Sequence, residues 1–114
     1  MSDSIKHISE VSLARCLRWH PGGLNSWSLS DWAVALGGEV GEVCDVIKKL
    51  NRVRDGMGGN KKEPYELQAD LQEEIADVYL YLDLLAQAAG IDLASAVKAK
   101  FNQVSVRMNF PERL

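Results

Sequence analysis

The 114-residue chain contains two cysteines, two histidines and three prolines, and each scarcity removes a class of answer. Cys16 and Cys44 are far apart, with no CxxC and no histidine at ligand spacing, so both read as buried or half-buried thiols without chemistry. Neither His7 nor His20 follows a glutamate by three positions, so the Glu-x-x-His ligands of a di-iron carboxylate bundle are missing. No apolar run approaches the roughly 18 residues of a membrane span, and Met1-Ser2-Asp3 lacks the basic start and apolar stretch of a signal peptide. The expectation is a cytoplasmic protein. Positive charge is also in short supply: 13 basic against 16 acidic residues give a net charge of −3, and without a long basic run a nucleic-acid polymer is not an expected partner.

Few prolines leave long stretches free to be helical, and 46% hydrophobic with 25% charged residues is ordinary globular composition. The expected fold is all-α: residues 1–114 as one domain, a four-helix bundle-like subunit. One such subunit is too small to enclose a sizeable cleft, which predicts a homodimer or homotetramer.

Apolar spacing predicts a first helix over 4–18, ended by Pro21-Gly22-Gly23. A second runs from a cap at Ser28 to about Val53. Asp31 completes the cap, and Trp27 and Trp32 sit where a hydrophobic staple would pack. The segment Arg54 to Asn60, with glycines at 56, 58 and 59, reads as a flexible loop. Pro64 suits the first position of a third helix, which continues to Ala89 before Gly90 offers a left-handed cap. Asp92 caps a fourth, with Ala94, Val97, Phe101, Val104 and Met108 as its apolar stripe before Pro111.

Within this frame stand two carboxylate pairs, Glu39-Val40-Gly41-Glu42 in the second helix and Glu74-Ile75-Ala76-Asp77 in the third. A helix turns about 100° per residue, so positions i and i+3 lie about 60° apart and share a face. Glu39 and Glu42 fall on the stripe of Val43, Val46, Leu50 and Val53. Glu74 and Asp77 fall with Leu71, Val78, Tyr81, Leu85 and Ala88. Acids on a polar face would stand beside Asp45 and Asp83 instead. Inward carboxylates need a cation, and neither stripe carries a base among its acids, so a hard divalent ion fits best. Mg²⁺ or Mn²⁺ is the expected cofactor, held by Glu39, Glu42, Glu74 and Asp77 and shared with a substrate phosphate.

With Gly38-Glu39-Val40-Gly41-Glu42 followed by Glu74-Ile75-Ala76-Asp77, the chain resembles the all-α nucleoside triphosphate pyrophosphohydrolases, the MazG-like group, which are recognised by an ExxE pair followed by an ExxD pair. The likeness runs from about Trp27 to Phe110. The 31 residues between Glu42 and Glu74 make a gap slightly longer than is usual there, and the excess falls in the Gly56 to Asn60 loop. The resemblance implies metal-dependent cleavage of a nucleoside or deoxynucleoside triphosphate to its monophosphate and pyrophosphate. In that chemistry the four acids hold metal, and Glu39 or Glu42 takes the proton of the attacking water.

Lys49 lies about 20° from Glu42 around the helix and is the expected phosphate contact. Lys98 and Asn102 form an i, i+4 pair on an edge of the fourth helix that the resemblance brings to the nucleotide. Trp19, His20 and Trp27 are the candidates for base recognition, and their aromatic breadth favours a purine such as dGTP. Plainer roles stand beside these: the staple for Trp27, a helix end for His20, core packing for Trp19, and a solvated charge pair for Lys61 and Lys62. The alternative to an enzyme is a non-catalytic helical interaction or regulatory module whose acids meet a partner's bases.

Overall fold

A computed structural model describes residues 2–114, with side chains from residue 4 onward. It contains four α-helices: α1 (Ser2–Trp19), α2 (Leu29–Arg54), α3 (Pro64–Ala88) and α4 (Leu93–Met108), with a 3-10 turn at Gly23–Ser26 and no strand among the described residues. No single helix among them is long and apolar enough to cross a membrane. The residues cluster into two compact units, one of 2–26 with Asp83–Leu114, the other Trp27–Leu82, so that α3 contributes to both.

The helix ends follow from local chemistry. Ser28 accepts a hydrogen bond from the Asp31 amide (3.1 Å) and donates its own amide to the Asp31 carboxylate (2.9 Å), a reciprocal cap that satisfies two otherwise orphaned donors. Asp92 accepts from the Ser95 amide at the start of α4 (3.1 Å). Gly90 adopts φ 71 after α3, and Asn109 takes the same left-handed region (φ 59) after α4.

In the unit Trp27–Leu82 the core is Trp32, Val46 and Leu67. Trp27 packs on Trp32 with centroids 4.6 Å apart, the staple expected from sequence, and Tyr81 of α3 approaches Trp32 at 6.5 Å. Trp32 near the start of α2 thus meets Tyr81 late in α3, while the end of α2 lines a cavity with Leu67 early in α3. Opposed order of this kind is the register of an antiparallel helix pair.

In the other unit α1 touches α4, and the residues buried on these helices are small: Ser12, Cys16 and Ser105. Asp83, expected on a polar face, is instead 1% exposed. It accepts from the Ser9 hydroxyl (2.6 Å) and the Gln87 amide (2.8 Å), and Gln87 also donates to the Ser9 carbonyl (3.1 Å). These bonds satisfy a carboxylate that burial would otherwise penalise. Two further expectations are corrected. Cys44 is exposed, because it projects beside the core stripe of α2 and not along it. Val97, Phe101 and Met108 on α4 are also exposed, while Ala94 and Val104 of the same stripe are half-buried.

Candidate metal and nucleotide site

Three of the four motif acids converge. Glu39 on α2 and Glu74 and Asp77 on α3 each offer a carboxylate oxygen, and these oxygens all lie within 4.8 Å of one another. The i, i+3 spacing sets Glu74 and Asp77 on one side of α3, and the antiparallel register brings Glu39 opposite them. All three are half-buried. Glu42 stands outside this set and is exposed, yet its charge is felt by both Glu39 and Glu74. Among the described residues no lysine, arginine or histidine forms an ion pair with any of the four.

Crowding without a counter-charge has a titration consequence. Desolvation, then the charges of Asp77 and Glu42, push the Glu39 carboxyl above its usual 4.5. Desolvation followed by Glu42, Asp77 and Glu39 does the same to Glu74. The folded protein therefore holds protons that the unfolded chain has already released in the window above 4.5. Stability of the metal-free protein should accordingly fall as pH rises through that window. The lowered carboxyls of Asp45, Asp55 and Asp92 act in the opposite sense, but only near and below their usual 3.8. Thermal unfolding in chelator at pH 5 and pH 7 checks this: a lower midpoint at pH 7, restored by divalent metal, is expected, and a higher midpoint at pH 7 would contradict it.

The remaining sequence candidates divide between the two units. Lys49, half-buried on α2, pairs with Asp45 (3.0 Å) and lines the cavity formed with the α2–α3 loop. Trp27 lines an open cavity of about 430 Å³ with Asp31, Val34 and Ala35, so it serves the staple and still presents surface. In the other unit, the His20 backbone closes α1, its amide donating to Cys16 (2.8 Å) and its carbonyl accepting from Gly23 (2.6 Å). Lys98 is exposed on α4. Asn102 holds the backbone of Leu114 at two points, accepting at 2.8 Å and donating at 3.3 Å. Trp19 is 64% exposed and carries the Arg15 guanidinium 5.1 Å from its ring centre, so it is not a core residue.

Sequence reasoning missed Arg52 and Asn60. Asn60 donates to the Lys49 carbonyl (2.8 Å) and accepts from Arg52 (3.3 Å), which pins to α2 the end of a loop that composition alone marked as flexible. An asparagine closing a glycine-rich run was the available signal.

Residues 29–109 match the family described as the MazG nucleotide pyrophosphohydrolase domain. The chain belongs to this family. It is 36% identical over 81 residues to dCTP pyrophosphatase 1 of Mus musculus, a match covering 71% of this chain and 45% of that protein. It is 32% identical over 79 residues to the Gene 37 protein of Mycobacterium phage L5, covering 69% of this chain and 65% of that one. The match thus spans about half to two thirds of the length of these curated relatives. No solved structure matches it.

Proposed function

We propose that this MazG-family chain is a metal-dependent nucleotide pyrophosphohydrolase that converts a deoxynucleoside triphosphate to its monophosphate and pyrophosphate. The observation that carries the reading is the convergence of Glu39, Glu74 and Asp77 within 4.8 Å, with no basic partner among the described residues. Oxygen donors without a counter-charge suit Mg²⁺ or Mn²⁺. When bound, such an ion supplies Lewis acidity at phosphorus and acidifies a water. Glu39, Glu74 and Asp77 hold and orient that centre. Glu42, outside the three-oxygen set and open to solvent, takes the proton of the attacking water. Lys49 contacts phosphate and Trp27 stacks on the base.

The reading takes residues 1–114 as one catalytic domain working in the cytoplasm as a homodimer or homotetramer. Uncovered apolar side chains such as Val34 (72% exposed) and Tyr65 (75%) support that assembly. For the base, the name of the mouse relative puts cytosine first, and the indole of Trp27 keeps a purine such as dGTP second.

The test is a panel of ribo- and deoxynucleoside triphosphates incubated with Mg²⁺ or Mn²⁺, with products resolved by chromatography and the active species sized by light scattering. Monophosphate plus pyrophosphate, lost on chelation and formed by a dimer or tetramer, is the expected result. No turnover of any triphosphate would shift the reading to the non-catalytic interaction module.

A further inference from the structure

The end of α2, the loop after it and the start of α3 enclose a cavity of about 380 Å³. Its wall carries four cations, Lys49, Arg52, Lys61 and Lys62, around an apolar floor at Leu67. No carboxylate lines it. Two of the cations are held from outside: Lys49 pairs with Asp45 (3.0 Å) and Lys62 with Asp70 (2.6 Å). Arg52 and Lys61 have no ion-pair partner among the described residues, so the cavity's net positive charge comes from them. The wall is also organised, because Asn60 ties the loop to the Lys49 carbonyl and to the Arg52 guanidinium. This positive concavity sits on a chain whose net charge is −3, so it cannot be the local expression of a basic protein. A concave wall of one sign focuses its field on an anion inside it.

Position adds to this. Lys49 follows Glu39 by ten residues on α2 and Leu67 precedes Glu74 by seven on α3, so they lie about 15 Å and about 10 Å along their helices from the carboxylate cluster. The two sites share one helix pair and have opposite charge. We propose that the loop cavity is a metal-independent binding site for a small phosphate polyanion, inorganic pyrophosphate, which does not involve the carboxylates and shares only Lys49, at its edge, with the proposed substrate contacts. The volume admits pyrophosphate with part of its water shell, and the guanidinium and ammonium groups match phosphate oxygens. As the product of the proposed reaction, pyrophosphate is the phosphate polyanion the chain itself would generate. That choice of ligand, unlike the anion site itself, rests on the proposed function.

The test is calorimetric titration of inorganic pyrophosphate into the full chain stripped of divalent metal, with inorganic phosphate in a parallel arm. Saturable pyrophosphate binding, tighter than that of phosphate, is expected. Lys61→Glu should weaken it by about tenfold or more, since it inverts a charge facing the anion. Lys100→Glu, which changes net charge equally but lies on α4 outside the cavity, should leave binding within about twofold. Glu74→Gln should not reduce it. The proposal is overturned by absence of saturable binding, by equal weakening in the two lysine variants, by loss of binding in Glu74→Gln, or by phosphate binding as tightly as pyrophosphate. The titration contains no metal and reads binding alone, so a chain that hydrolyses no triphosphate still gives a decisive answer.

Discussion

Replacing Glu74 by Gln is expected to lower turnover by at least about 100-fold, because altering even an outer-shell partner of a metal ligand typically costs 10–100-fold. The same change should make the metal-free protein more resistant to heat at pH 7. Glu74 carries an elevated carboxyl, raised by burial and by Glu42, Asp77 and Glu39 around it, so neutralising it relieves repulsion at pH values where the wild-type group is ionised. Loss of activity and gain of stability in one variant separate a ligand from a packing residue, since Gln preserves shape and fold. Far-UV circular dichroism should be unchanged, and added Mg²⁺ or Mn²⁺ should raise the unfolding midpoint of wild type but not of the variant. Full turnover in Glu74→Gln would remove the carboxylate cluster from the mechanism.

The largest structural effect is expected from Trp32→Ala. Trp32 is 1% exposed, is contacted by Trp27 at 4.6 Å and Tyr81 at 6.5 Å, and is the largest side chain to be fully buried. Truncating a buried tryptophan costs about 3–5 kcal/mol. For a domain of this size that corresponds to a fall in Tm on the order of 15 °C. Total stabilities are about 5–15 kcal/mol, so the variant should populate unfolded chain readily. Urea unfolding followed by circular dichroism measures it. A change below about 1 kcal/mol would mean that the Trp27–Trp32–Tyr81 cluster is not the anchor of its unit. The effect should also reach the chemistry. Trp32 precedes Glu39 by seven residues on the same face of α2, and its contact with Tyr81 helps fix the register that sets Glu39 opposite Glu74 and Asp77.

What was legible in the sequence was local. The Ser28–Asp31 cap, the Trp27–Trp32 staple, Pro64 opening α3 and Gly90 closing it each depend on residues within one turn or so of each other. The pairing of acids on each helix was legible for the same reason, because a fixed turn per residue converts spacing into a shared face. Contacts distant in sequence were not legible. A helical wheel assigns Asp83 to solvent, and the Ser9 hydroxyl, 74 residues away, joins Gln87 in making its burial acceptable. Likewise the wheel gives Glu39 and Glu42 equal standing. The register between α2 and α3, which no local pattern encodes, brings Glu39 into the three-oxygen set and leaves Glu42 beside it. The apolar stripe of α4 shows a third kind of limit: periodicity identifies a sticky face but does not name what covers it.

The mutual repulsion of Glu39, Glu74 and Asp77 has a consequence for anyone who would improve this protein by selection. A library screened for heat resistance in chelating buffer would enrich for substitutions at these three positions first, since each removes a charge that the metal-free fold tolerates poorly. The hardiest survivors would be the inert ones. On the proposed metal role of these acids, screening with divalent metal present would reverse the pressure and retain them.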